Sequence, residues 1–446
     1  MFQRRRSSAL LVSLVLFAAA CDWGMSGFGP ARTGFSAREN AITVANVATL
    51  TEAWNSGPGT LSTGPVVGSG KVFVNSAPPS GSDVTSLNAY DVDASPACRG
   101  SVTAVCAATW SHPFATSNFI RSPFVVSAPS VDAGTVIVGA TSLSSSGVYA
   151  ITSFIDAATG GDRYAVFGGG GNGGSPAVDG DVMAASITNI AKPIPSPVWF
   201  DTMGVFDTRS HARRFLAAIG PGSAGVPTFA RFSSPSISDE VVYALTQNTL
   251  FAYDLGGVTN CGNFYFLTGP ICLPLWSAPM AHPGGYDAMP AVANGLVYVP
   301  ELDGHVEVFN AAGCGAVTCA SVWSAVAGSV HLSPVAVTES TLFAGSDDGR
   351  LYAFAAGGCG ATTCQPTWRA DFGAPAHTPS VAGSLVFIGS DSGALSAFNA
   401  AGCGGATCTP LWSTAVGAPI RTAPAISNGH VFITDASGTL HAYQRR

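Results

Sequence analysis

The sequence predicts an all-β protein: an eight-bladed β-propeller of four-stranded antiparallel blades, stapled by short disulfides. Three observations carry this. The 446 residues include 53 Gly and 29 Pro, too many for long helices, while 47% are hydrophobic, too many for disorder. Ten of the eleven Cys form five neighbouring pairs, each followed four residues later by Trp. A strand-leading Pro recurs eight times along the chain.

The first segment stands apart from this pattern. Arg4, Arg5 and Arg6 precede an apolar stretch from Ala9 to Ala20, the layout of an export signal too short to anchor as a span. It ends in Ala18-Ala19-Ala20-Cys21, which resembles a bacterial lipoprotein signal with Cys21 as the lipidated residue. The expected organisation is therefore a signal peptide over 1–20, a leader over 22–53 packed on the propeller, and the propeller over 54–446. Removing 1–20 takes away three Arg and no acid, so the net charge moves from −7 to −10. Only Lys71 and Lys192 are Lys, and no basic patch exists, which argues against a nucleic-acid partner. Elsewhere Gly, Pro, Ser or Asp breaks every apolar run before about 20 residues, so the membrane is expected to be met only through the lipid.

The cysteine pairs are Cys98/Cys106, Cys261/Cys272, Cys314/Cys319, Cys359/Cys364 and Cys403/Cys408; the Trp that follow are Trp110, Trp276, Trp323, Trp368 and Trp412. An even set in an exported chain reads as disulfides. Metal is not expected, because a structural zinc site needs four ligands and the pairs sit in separate repeats. Links between repeats are eight residues where Cys is absent, as from Asp156 to Tyr164 and Asp207 to Phe215. They are thirteen or more where a pair is present, as from Asn399 to Trp412. Each disulfide is then expected to close an added loop.

The repeat follows the Pro: Pro65, Pro129, Pro176, Pro235, Pro290, Pro334, Pro379 and Pro424. Each stands where a strand begins, since its missing N–H costs little there. An apolar strand follows each, such as Leu385–Ile388, then a turn such as Asp391-Ser392-Gly393, then a strand ending in an aromatic or Asp. An aromatic opens the remaining strand of each unit: Trp54, Trp110, Tyr164, Phe215, Trp276, Trp323, Trp368 and Trp412. Taken as the first strand of its blade, that strand is expected to line the axis. Eight such units close a propeller whose core is made by stacking blades.

These residues resemble the pyrroloquinoline-quinone-like propeller family. Asp156-Ala-Ala-Thr159-Gly160 with Tyr164 at the Trp position matches its tryptophan-docking motif, and Gly29-Pro30-Ala31-Arg32-Thr33-Gly34-Phe35 is similar to the leader of such propellers. The resemblance implies one of two branches: quinoprotein dehydrogenases that bind the quinone and calcium, or non-enzymatic envelope propellers such as the lipoprotein of outer-membrane barrel assembly. No adjacent Cys-Cys is present, and the acids stand at turns, as in Leu302-Asp303-Gly304 and Asp347-Asp348-Gly349. The run Gly168 to Gly174 precedes a strand rather than a helix, so it is not a dinucleotide site. No Gly-x-Ser-x-Gly elbow precedes a helix, and no catalytic residue is assigned.

One polar constellation precedes the strand Pro. Arg121, Arg231, Asp287, His331, His377 and Arg421 would form an axial ring able to bind an anionic or mixed-charge ligand or a partner segment. The expected function is a monomeric, exported, lipid-anchored scaffold of the cell envelope that binds a protein or polymer without a cofactor. The alternatives are a quinone- and calcium-dependent dehydrogenase of alcohols or sugars, and recognition of extracellular polysaccharide or peptide.

Overall fold

The computed structural model describes residues 22–446 except 78–83, 94–97, 99–103, 115–124, 145–146, 168–173, 192–197, 222–226, 264–268 and 285–287. It contains eight sheets, each built on four antiparallel strands, and no α-helix among the described residues. The innermost strands are Val66–Gly68, Ser130–Asp132, Ala177–Asp179, Ser236–Ser238, Ala291–Ala293, Ala336–Val337, Ser380–Ala382 and Ala425–Ser427. We number the blades 1 to 8 in that order. Each inner strand contacts the next, and the last contacts the first, so the ring is closed.

The strand-leading Pro therefore opens the axial strand. This corrects the expectation that the Trp-led strand lines the axis. In blade 7 the order from the axis is Ser380–Ala382, Leu385–Gly389, Ala394–Asn399, Trp412–Ala415, which puts Trp412 on the outermost strand. The physical reason is hydrogen bonding: Trp412 pairs with Ala397 of the strand before it. A cyclic repeat has no marked beginning, so spacing alone leaves the phase open.

Closure uses the two ends of the propeller. Leu50–Asn55 pairs antiparallel with Leu440–Arg445, Trp54 lying opposite Ala442, and becomes the outer strand of blade 8. Each inner strand joins its neighbour by a tight hairpin. Ser69-Gly70, Asp239-Glu240, Asn294-Gly295 and Asn428-Gly429 all have positive φ, the type I′ geometry that matches strand twist.

Blades stack through the aromatics. The indole of Trp368 lies against Gly402 of the next blade, Trp323 against Gly358, Trp276 against Gly313 and Trp110 against Gly160. All four glycines have positive φ. Between blades 6 and 7, Phe343, Leu351 and Trp368 pack on Val381, Val386 and Phe398 in one buried cluster.

All five expected disulfides are formed; the three five-residue pairs have Cα–Cα distances of 5.6–5.7 Å. Each stapled link also lies along the outer strand of the preceding blade. Arg369 N donates to Ala406 O at 3.0 Å and Cys408 N donates to Arg369 O at 2.8 Å. Ser277 with Val317 and Cys319, Asn55 with Ala104 and Cys106, and Ser324 with Thr362 repeat this pattern. The links thus cover sheet edges that would otherwise offer unpaired backbone groups.

The second cysteine of every pair, Cys106, Cys272, Cys319, Cys364 and Cys408, is buried, so the staples also contribute to the core. Cys272 ends a short strand, Pro270–Cys272, and Cys364 ends another, Thr363–Cys364; both side chains are buried in the core. Cys272 packs in one cluster with Phe215, Ala217 and Tyr253, and its carbonyl accepts from Ala218 N at 2.9 Å. Cys364 packs with Trp323, Ala325 and Phe354, and lies opposite Ala325 in a parallel pair. The physical reason is the edge pairing itself. It draws the second half of each link onto the preceding blade, where a half-cystine, a small apolar group, fills the space beside the outer strand. Cys261 and Cys314, the first members of their pairs, stay partly or fully exposed.

Candidate functional site: the mouth of the central channel

Alternating strand direction sorts the connections. Turns between second and third strands share one face with the outer-to-inner connections, and we call it the mouth face. The hairpins after the inner strands and the stapled links lie on the opposite face.

The leader occupies the channel. Its carbonyls accept hydrogen bonds from the inner strands: Trp23 O from Val67 N, Gly24 O from Val131 N, Pro30 O from Ile237 N, Ala31 O from Val292 N, Thr33 O from Val337 N and Gly34 O from Val381 N, all 2.6–2.8 Å. Phe35–Ser36 pairs parallel with the inner strand of blade 7. Arg32 is 1% exposed and donates to the carbonyls of Pro235 and Ser175, so one buried cation ties the leader to blades 3 and 4. Burial pushes its guanidinium down to about 9. Glu39 then accepts from Gly429 N in the blade 8 hairpin. From Asp22, beside the Ser69 backbone on the opposite face, the described leader turns at residues 25–29 and returns to the opposite face at Glu39. It is a plug with its tip toward the mouth.

Above that tip sits a cavity of about 270 Å³. Trp23 and Ser26 of the leader form part of it, with Gly64, Ala128, Ser175, Ser234, Met289, Pro334, Thr378 and Ala423, so every blade contributes. Each of these blade residues is at, or immediately before, the strand Pro. The repeat thus builds the rim mostly from small residues, Met289 being the exception, and Arg421 is the one charged side chain among the described lining.

Arg421 Nε donates to Asp391 Oδ1 at 2.8 Å, and His377 Nε2 lies 2.9 Å from the same oxygen. The guanidinium and then the imidazole hold Asp391 below the usual carboxylate range, while burial opposes them. His331 makes the equivalent contact one blade earlier, its Nδ1 3.5 Å from Asp347 Oδ2. Arg231 is exposed in the connection entering blade 4. Arg121, Asp287, Cys21 and the run 168–173 lie outside the described residues. His331, His377 and Arg421 therefore pair with turn acids within the repeat, and Arg421 alone of the expected ring lines the cavity as described. Nothing in the spacing of the sequence marked Asp391 as the partner of His377 and Arg421, or Asp347 as that of His331. A His/acid group in blade 5, His282, Glu301, Asp303 and His305, was likewise missed. Its signal was the departure of Glu301-Leu-Asp-Gly-His305 from the other turns.

The family model described as outer membrane protein assembly factor BamB matches residues 303–403 and 360–446, the last part of the propeller. Among solved structures the fold is similar to BamB from Moraxella catarrhalis, at 14% identity and TM-score 0.56, covering 89% of this chain and 99% of that one. It is likewise similar to the quinohemoprotein alcohol dehydrogenase from Comamonas testosteroni, at 14% identity and TM-score 0.59, covering 95% and 80%. The computationally designed Ika8 protein is similar at 12% identity and TM-score 0.58, covering 88% and 99%. No curated protein matches the chain in sequence. At such identities these structures establish the fold, and one fold hosts many functions.

Proposed function

We propose that this chain, whose fold is that of the PQQ-like β-propellers, is a non-catalytic binding scaffold of the bacterial cell envelope that takes a protein or polymer segment at its channel mouth. The observation that carries this reading is the plug. The leader fills the channel below a cup of about 270 Å³ lined mostly by small residues, suited to receiving a segment. The match to the assembly-factor model over 303–446 supports the same direction.

The described lining does not fit the quinone with calcium. Among the described residues of the cup there is no carboxylate or side-chain amide to hold a hard cation, and one guanidinium faces a ligand that carries several carboxylates. We derive no dehydrogenase step. A lipid on Cys21 would leave the fold beside Asp22 and Ser69, opposite the mouth, so the cup would face away from the membrane. No helix among the described residues is long and apolar enough to cross one.

A photo-crosslinker placed at Thr378, on the cup, is expected to capture one discrete envelope component in living cells. The same probe at Ser69, on the opposite face, is expected not to. Equal patterns from both positions, or a one-to-one quinone complex of the purified protein with calcium, would overturn the reading.

A further inference from the structure

We propose that blade 5 carries a divalent-cation site of the zinc type, built from His282, Glu301, Asp303 and His305. All four are on the mouth face, and they come from two separate pieces of chain. His282 lies in the connection from blade 4, whereas Glu301, Asp303 and His305 lie on the turn after Leu296–Pro300 and at the start of His305–Asn310.

Their ligand atoms converge. His282 Nδ1 is 3.1 Å from Asp303 Oδ2 and 3.4 Å from Glu301 Oε2, and His305 Nδ1 is 3.0 Å from Asp303 Oδ1. One ligand atom from each residue lies within 4.8 Å of all the others. Zinc bonds of about 2.0–2.2 Å in a tetrahedron place ligand atoms about 3.4 Å apart. Small side-chain movements therefore close the set.

An independent observation points to a ligand. Glu301 has a side chain 0% exposed to solvent, and its Oε2 has no hydrogen-bond partner. His282 Nδ1, Asp303 Oδ1 and His305 Nδ1 are also buried and without a hydrogen bond. A buried carboxylate oxygen is costly unless a donor or a cation meets it. A single cation bound among these residues would meet all four atoms together.

The repeat supplies a control. Matched by strand register, Glu301 corresponds to Ser346 in blade 6 and Ser390 in blade 7, and His305 corresponds to Arg350 and Ala394. The turn itself needs only the glycine, Gly304 with φ +93°. Glu301 and His305 are thus additions to the turn. Blade 8 has an acid at the same turn, Asp435, but its oxygens accept from Ser437 and pair with His441.

Two imidazoles with two carboxylates suit zinc or a similar borderline cation rather than calcium, which takes oxygen ligands. Four protein ligands make a closed, structural site. It would pin the blade 4 to blade 5 connection beside the cup.

The test uses the exported protein, purified without a polyhistidine tag, stripped with chelator and titrated with Zn²⁺. Wild type is expected to take up about one zinc per chain, to gain thermal stability, and to give the intense visible bands of tetrahedral Co²⁺ when cobalt is substituted. H282A and H305A are expected to bind at least tenfold more weakly. E301Q removes the orphaned carboxylate, so its metal-free form should be no less stable than wild type, while its zinc-induced gain disappears. H377A leaves the site untouched and should bind as wild type does. Absence of stoichiometric uptake by wild type, or uptake unaltered in H282A, H305A and E301Q, would overturn the proposal.

Discussion

At Gly402 one hydrogen atom decides whether two blades can stack. Its φ is +85°, and a Cβ there would stand 2.8 Å from Trp368 Cδ1. Left-handed backbone costs a side chain about 1–2 kcal/mol, and overpacking adds about 1–3 kcal/mol. Gly402→Ala is therefore expected to destabilise by about 2–5 kcal/mol in urea unfolding. Gly405→Ala, three residues on, meets nothing closer than 3.8 Å and is expected to change little. Equal effects of the two would refute the docking role. His211 shows the same position filled differently. It adopts φ +58°, and its ring stacks on Tyr164 with centroids 3.8 Å apart. The Gly and Trp were legible in the sequence because each recurs at a constant offset. That Trp368 meets the glycine of the following blade was not, since the contact spans two sheets.

At the element scale the stapled links have two consequences. Each disulfide restrains its loop, and each loop completes the edge of the preceding blade. Replacing Cys403 and Cys408 by Ala is expected to cost about 2 kcal/mol, the loop-entropy value for so short a ring. The local readout separates the two effects. The Arg369 amide, bonded to Ala406 O, should exchange with solvent much faster in the double variant, while amides in the inner strand of blade 7 keep their relative protection. Unchanged exchange at Arg369 would mean that the link covers the edge without the staple. The sequence showed the pairs and their longer links. It did not show the covered edge, nor the burial of the second cysteine of each pair that follows from it, because the link runs parallel to a strand some forty or more residues earlier in the chain.

At the scale of the whole molecule, stability rests on closing the ring. Glu52 from the first strand and Asp435 from the last blade grip His441, whose Nδ1 and Nε2 lie 2.8 and 3.1 Å from their carboxylates. Burial lowers the His441 value, but the hydrogen bonds it donates to both carboxylates outweigh that, and the net shift is upward. Glu52 is held low chiefly by the His441 hydrogen bond. Burial pushes Asp435 up, but bonds from Ser437, Thr439 and His441 outweigh it and hold the carboxyl low. The raised imidazole contributes stability fully below about pH 6.5 and loses it as pH rises through the folded value. The lowered carboxylates contribute above about pH 4.5 and lose it as pH falls through theirs. The clamp is therefore strongest between about pH 4.5 and 6.5. The gap in thermal midpoint between wild type and His441→Gln should shrink from about pH 5.5 to about 8.5, and a constant gap would contradict the assignment.

Taken by itself, the sequence determined the number of blades, the strand-leading Pro, the docking aromatics and the disulfide partners. All of these are set by local pattern and constant spacing, and a repeat displays them many times. Only the tertiary structure decided which strand faces the axis, since a ring of identical units has no first strand until hydrogen bonds assign one. It also decided that the leader enters the channel, through carbonyls and one buried Arg32 that follow no period. And it brought His282 beside Glu301, two residues whose separation along the chain gives no sign of contact, because a blade folds the connection back over its own turn.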